Sequence, residues 1–383
     1  MQKKHFAIGS GTLAVGIAVS ILMANYLAEP DWALHIAIFS VGQGDAIVIV
    51  APDGDASVID AGFGSTAGHR VADFLLDEEQ NGVGRIQQVK LGFATHYDRD
   101  HIGGFDTLAQ RGIAFRAFYD QGPSAKRKNK TIYDEYLAVV GDPNDNMTQD
   151  PNESHFVRKK ARVGLHWKLG EAKVKCASAL GDTKGSRFDL EGLDPSEGHI
   201  NENPGSIALL VTYGDFEFYS AGDQTSDDWK HEPDTEIGVA RSGVLGDDPD
   251  IDVIKVSHHG SDTSTGAEFV LSLTPEVAVI STKYTSGDEN PKMVAVQQWA
   301  EAMAMVYVTG DGRHEDTGTF TDSSATTSDD GYLPSAENIV NDAGDVHIFV
   351  SADGKKYKVI HGKLDSNQWK EFSAVDADNA RTP

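Results

Sequence analysis

Residues 95–104 read Thr-His-Tyr-Asp-Arg-Asp-His-Ile-Gly-Gly. His96, Asp98, Asp100 and His101 fall within six positions, and groups crowded so closely repel one another unless a cation lies between them. A calcium loop would need a glycine after its third acidic position, and the stretch has none. Two further clusters have the same character: Asp223 in Ala221-Gly222-Asp223, and His258 and His259 in Ser257-His258-His259-Gly260-Ser261. Imidazoles and carboxylates without a thiolate suit divalent transition metals, zinc or manganese among them. The set exceeds what one tetrahedral ion with an open position needs. Two ions roughly 3.5–4 Å apart, sharing a hydroxide, would use it fully. The charges agree, since three aspartates and a hydroxide are cancelled by two divalent ions. Without metal, at least one of the three carboxylates is expected to have a raised pKa.

Each cluster follows a short apolar run, so the strands must do the positioning. Leu34–Phe39, Ala46–Val50 and Ser57–Asp60 read as strands separated by turn signals such as Pro52-Asp53-Gly54. A helix is expected over 69–80 and a buried strand over Lys90–Thr95, at whose end the first cluster begins. Gly103 and Gly104 let the backbone pass close to it. Ile207–Tyr213 and Phe216–Ala221 form a strand pair ending at Asp223, and Ile254–Val256 ends at the paired histidines. Val277–Ser281 and Val306–Val308 read as strands around a helix at 291–303, and Val346–Val350 with Tyr357–Ile360 as a hairpin. The pattern loosens between about 115 and 203, which is expected to be an insertion, with loops at 141–146 and again at 321–335. Many strands, interspersed helices and mostly hairpin links predict two packed sheets flanked by helices, in one domain over 33–362 followed by a polar tail, 363–383.

A formal charge of −26 over 383 residues disfavours nucleic acid and anionic membranes in general, so an anionic partner needs a local basic patch. Cys176 is the one cysteine, which excludes an intrachain disulfide and a Cys-x-x-Cys zinc site. Lys3 and Lys4 precede an uncharged, apolar run from Phe6 to Leu27. Residues 1–30 are therefore expected to be a membrane anchor or a cleaved export signal, with the remainder outside the cytoplasm.

In combination these residues resemble the metallo-β-lactamase fold, and more closely the extracellular hydrolase domain of the ComEC competence proteins. The resemblance rests on Val41-Gly42-Gln43-Gly44-Asp45-Ala46, Ile59-Asp60-Ala61-Gly62, Thr95–Gly104, Asn203 with Ser206, Ala221-Gly222-Asp223 and Lys255–Ser261, in order from 34 to about 312. It implies an α/β fold of αββα layers and a dinuclear centre. His96 and Asp98 would hold the first metal, with Asp98 where many relatives have histidine. Asp100 and His101 would hold the second, Asp223 would bridge, and His259, rather than His258, would complete the set. Asp100 and Asp223 would stand at the catalytic step. Asp60 would support the ligand loop. The middle histidine of many family members has no clear match, although His199 is nearby and Asn203 aligns with the ComEC-type asparagine. His258, Asn203, His199, Asp60, Gln43 and Asp45 are thus expected as further ligands or as groups that orient ligands. No counterpart of the ComEC membrane channel is read in the chain.

The implied function is hydrolysis by a metal-bound hydroxide attacking an anionic ester, first a phosphodiester, with no serine or cysteine nucleophile. A β-lactam or lactone is the second expectation, and a non-catalytic metal-binding envelope protein the third. The substrate is expected to be a small or polymeric anion, nucleic acid included. Lys126, Arg127, Lys128 and Lys130 lie in the expected insertion and are the basic lip that would attract it; a solvated loop is the alternative.

Overall fold

The structure is a computed structural model that describes residues 32–122, 129–141, 157–183, 186–187, 202–226, 234–246, 249–285, 289–313, 338–362 and 369–374. Strands β1 (Trp32–Ile38), β2 (Ala46–Val50) and β3 (Ala56–Ala61) form a meander. Helices α1 (Gly64–Leu76) and α2 (Glu78–Asn81) lead to β4 (Gln88–Phe93), and α3 (Arg99–Ile102) and α4 (Phe105–Gln110) lead to β5 (Ala114–Asp120). There follow α5 (Lys130–Val140), β6 (Val157–Lys160), β7 (His166–Leu169), β8 (Ala172–Ser178) and the small ribbon β9 (Asp182–Thr183) with β10 (Ser186–Arg187). The second half runs β11 (Ala208–Tyr213), β12 (Phe216–Ser220), α6 (Thr235–Arg241), β13 (Val253–Lys255), α7 (Ala267–Leu273), β14 (Val277–Ile280), α8 (Met293–Glu301) and β15 (Met305–Val308). It closes with β16 (Ile339–Val340), β17 (Val346–Ser351), β18 (Lys356–His361) and β19 (Trp369–Ser373).

One sheet has the order β19-β18-β17-β1-β2-β3-β4-β5-β6, the other β16-β15-β14-β13-β12-β11-β8-β7. Ile36, Ile38, Ile47, Ile49 and Ile59 of the first meet Val174, Leu209, Val211 and Phe218 of the second in a dry central layer. Alternate residues of the first sheet, Val48 and Val58 among them, pack instead against Val71, Phe74 and Leu75 of α1. Those three face the sheet because i, i+3 and i+4 share one side of a helix, and each contributes roughly 1.5–3 kcal/mol by burial. The second sheet is covered in the same way by Phe269 of α7 and Val296 and Trp299 of α8. The result is four layers, helix-sheet-sheet-helix.

Three sequence expectations change. The links are not mostly hairpins: β3 to β6 and β12 to β16 run parallel, with helices carrying the chain back from β3 through β6 and from β12 through β15. The stretch expected as an insertion supplies β5 and β6 to one sheet and β7 and β8 to the other. Its polar look comes from edge strands such as Val157-Arg158-Lys159-Lys160, where one face and one edge stay wet. The polar tail also contains structure: β19 pairs with β18, and Phe372 stacks on Tyr357 at 5.1 Å. The expected loops at 142–146 and 321–335, the N-terminal segment 1–30 and residues 375–383 lie outside the described residues. No helix among the described residues is long and apolar enough to cross a membrane.

Candidate metal centre

All the clusters emerge where strands end, at one edge shared by the two sheets. Parallel α/β sheets bind ligands there because the loops leaving the strand ends converge. His96 lies just after β4, Asp223 just after β12, and His258 and His259 just after β13. Gly104 is needed behind the first loop, because a side chain there would collide with the carbonyl of Ala61.

Asp60 shows how local backbone serves the site. Ala46 pairs with Ala61 but Ile47 with Ile59, so Asp60 is an extra residue in β3, with φ 55. A bulge re-aims a side chain. Here the buried Asp60 carboxylate accepts from Thr95 N at 2.8 Å, Thr95 Oγ1 at 2.7 Å and His101 Nδ1 at 2.8 Å. That fixes the tautomer of His101 and leaves its Nε2 for the cluster. His259 is set in the same way, its Nδ1 donating to the Ser281 carbonyl at 2.9 Å. His96 rests its Nδ1 on Thr95 and Ser206 hydroxyls, at 3.2 and 3.3 Å.

The imidazole Nε2 atoms converge on Asp223. Its Oδ1 is 3.3 Å from His101 Nε2 and 3.4 Å from His259 Nε2, and Asp100 Oδ2 is 3.5 Å from that His259 nitrogen. Its Oδ2 is 3.7 Å from His96 Nε2 and 3.8 Å from His258 Nε2, with Asp98 Oδ2 3.9 Å from His96 Nε2. The six ligands expected from the sequence therefore come together. His258, which sequence reasoning ranked behind His259, lies beside them with its Nε2 bonded by Asn203. The two neighbours take opposite sides of Asp223 because both sit in left-handed backbone, at φ 48 and 55. Such conformations cost non-glycine residues roughly 1–2 kcal/mol each.

Divalent ions fit this donor set. His96 Nε2 and Asp223 Oδ1 are buried and lack a hydrogen-bond partner, a costly state for groups of that polarity unless something else satisfies them. His96, His101 and Asp223 place ligand atoms within 4.8 Å of one another, and so do Asp100, His101 and His259. Protonation agrees with a missing cation, although not as the sequence suggested. Burial opposes charge on His101, but Asp223 and Asp60 outweigh it and hold its pKa well up. Burial opposes charge on His259 too, yet Asp223 and Asp100 lift its pKa to about 9. Burial would raise Asp100 and Asp223, but His259 and His101 hold both below the usual carboxylate range. Protons on two imidazoles thus do what a protonated carboxylate was expected to do. His96 is kept neutral by burial and by His101 beside it, and His258 chiefly by burial.

Beneath the ligands lies a pair that sequence reasoning half missed. Asp45 takes an ion pair from the fully buried Lys255, whose ammonium also donates to the Gly222 carbonyl at 3.2 Å. Asp45 Oδ1 is 3.6 Å from His259 Nδ1, and its backbone N–H donates to the Asp100 carbonyl at 3.1 Å. Asp45 therefore orients the centre, and the signal for Lys255 was a charged residue inside an apolar strand. Gly44, at φ 135, lets this turn approach, since a side chain there would strike the Asp100 carbonyl. Asn203 donates to His258 Nε2 at 3.0 Å, and Gln43 lines the cleft beside Asp98 and Asp100. His199, Lys126, Arg127 and Lys128 lie outside the described residues. Lys130 is an exposed residue of α5 paired with Asp134, a solvated helix contact. A cleft of about 710 Å³ opens over Asp98, Asp100, Asp223 and His258.

Four αββα layers with a histidine and aspartate cluster at the common sheet edge decide the architecture. The fold is that of the metallo-β-lactamases. No family model matches the chain. It resembles proteins of the ComEC type at low identity. ComE operon protein 3 of Bacillus subtilis (strain 168) is 22% identical over 274 residues, which are 69% of this chain and 30% of that protein. Competence protein ComA of Neisseria gonorrhoeae is 24% identical over 277 residues, 71% of this chain and 31% of that one. The metallo-β-lactamase-like chain thus spans less than a third of the length of these curated relatives. Among solved structures, the metallo-β-lactamase fold protein YhfI of Bacillus subtilis aligns at 9% identity and TM-score 0.41, over 72% of this chain and 96% of that one. Tm1679, a metal-dependent hydrolase of the β-lactamase superfamily, aligns at 12% identity and TM-score 0.39, over 72% and 95%.

Proposed function

We propose that the protein is a dinuclear, divalent-metal-dependent hydrolase whose substrate is a phosphodiester. The observation that carries this is the two-sided Asp223: Oδ2 is 3.7 Å from His96 Nε2, which Asp98 also approaches, while Oδ1 is 3.3 and 3.4 Å from the Nε2 atoms of His101 and His259, the latter also approached by Asp100. Besides the shared carboxylate, one side offers two imidazoles and a carboxylate and the other an imidazole and a carboxylate. Two divalent ions held there would supply an activated water and a charge sink for the leaving oxygen of an in-line displacement. The chain's own part is to hold the donors rigid. Asp60 and the Ser281 carbonyl fix the ring tautomers, and Asp45 with Lys255 anchors the Asp100 loop to the Gly222 turn. His101 and His259 release protons when ions arrive, which makes loading pH-dependent. The phosphodiester is supported by the ComEC-type resemblance and by a centre suited to clamping both oxygens of a phosphoryl displacement. The apolar run after Lys3 and Lys4 supports a place in the envelope, with the hydrolase facing outward.

The test is metal content together with turnover. Protein stripped with chelator and reloaded should bind two ions per chain and cleave phosphodiesters in preference to β-lactams and lactones. Asp223→Ala should lose the paired loading and lower kcat by at least a hundredfold. One ion per chain, or no diester cleavage with two ions bound, would overturn the proposal.

A further inference from the structure

The cleft has polar walls of one kind. Apart from Asp98, Asp100 and Asp223, its polar lining consists of Gln43, Arg99, Asn129, Asn203, Lys283, Thr285 and His258, none of them acidic. Arg99 and Lys283 are exposed, and neither has a carboxylate partner among the described residues. Arg99 stands between Asp98 and Asp100 in the sequence, yet no ion pair joins it to either.

Instead, the Arg99 guanidinium lies over the ring of Phe63, 4.9 Å from its centroid. Phe63 is itself 47% exposed and lines the same cleft. A lone exposed aromatic residue means little. This one is held out by its neighbours, because Gly62 and Gly64 are both at φ 69 and turn the chain between β3 and α1. A side chain on Gly62 would meet Ala67 at 2.6 Å, so the turn is packed tightly from behind. An apolar ring backed by a planar cation, at the mouth of a donor-lined cleft, is built to receive another flat group.

We propose that Phe63 and Arg99 form a platform on which a planar ring of the substrate stacks, and that Lys283 binds the anionic group beside it. The inference rests on the hydrolase reading and narrows its substrate to anionic esters that carry a flat aromatic group next to the scissile centre. Phe63 and Arg99 come from the first sheet's loops, after β3 and at the start of α3, whereas Lys283 follows β14 of the second. A substrate held by both would therefore lie across the line of ligands.

Binding of non-hydrolysable probes separates this from catalysis. Phenylphosphonate and methylphosphonate would be titrated calorimetrically into the full-length, metal-loaded protein and into Phe63→Ala, Phe63→Trp and Lys283→Gln. The native protein should prefer phenylphosphonate by roughly 2- to 10-fold. Phe63→Ala should erase that preference and Phe63→Trp keep it. Lys283→Gln should weaken both probes by a similar factor, more at low salt than at high salt. No preference in the native protein, a preference that survives Phe63→Ala, or no binding of either probe would overturn the proposal. Ring preference without diester cleavage would keep the platform and remove the reaction assigned to the centre.

Discussion

Asp98 is the residue on which the choice of metal turns. It stands where the resemblance implies a histidine in many relatives, and its carboxylate is 3.9 Å from His96 Nε2. The expected donors are three imidazoles and three carboxylates, and each carboxylate shifts preference from zinc toward manganese. Chelated protein should therefore recover activity with manganese at least as well as with zinc. Asp98→His should lower the ratio of manganese-restored to zinc-restored rates while retaining turnover; an unchanged ratio would remove Asp98 from the ligands. Residue types and spacing made most of the centre legible, because carboxylates and imidazoles have few reasons to crowd. They did not place His258, whose side of Asp223 depends on backbone angles that no spacing encodes. Lys255 was legible only as part of a motif, because its role is to neutralise Asp45, some 200 positions away, inside the fold.

At the scale of elements, the centre is assembled from turns rather than from regular structure. The Gly-Asp turn before β2, the bulge at Asp60 and the left-handed pair His258-His259 each depart from ideal backbone, and each aims one group. Gly44→Ala tests the first of these. At φ 135 alanine is strained, and its methyl would press on the Asp100 carbonyl. The expected loss is about 1–3 kcal/mol of stability, read as a lower urea midpoint with an unchanged m-value. Metal affinity should fall with it, because the displaced carbonyl belongs to a ligand residue; normal affinity would show that the turn supports the fold alone. Strands such as Ala46–Val50 and Val277–Ile280 were legible almost to the residue, because full burial on both faces leaves an unbroken apolar run. Edge strands β6, β7 and β19 were not, since a half-wet strand reads like a loop. Strand direction was hidden too, because parallel and antiparallel neighbours bury the same residues.

For the molecule as a whole, the centre ties stability to pH and to metal. His101 and His259 have pKa values raised above the unfolded value near 6.5, to about 9 for His259. Their contribution in metal-free protein is fully present below pH 6.5 and is lost as pH rises through the raised values, about 9 for His259, on the order of 3 kcal/mol for that residue alone. Asp100 and Asp223 act at the other end, stabilising above the ordinary carboxylate range and failing as pH falls through their depressed values. Urea midpoints of chelated protein should therefore decline between pH 6.5 and 9, and the decline should largely vanish once ions replace the two protons. Equal slopes with and without metal would place the raised pKa values elsewhere. On the proposed dinuclear reading, the two-sided Asp223 would also make the two halves of the centre a linked pair. A carboxylate shared by two cations presents less charge to the second than to the first. Loading should then follow two unequal steps, and whatever penalty the first ion imposes on the second is returned in equal measure by the second on the first. A protein built this way can be poised with one ion tightly held and the other exchanging, so that the metal supply around it, and not its own abundance, governs how much of it is complete.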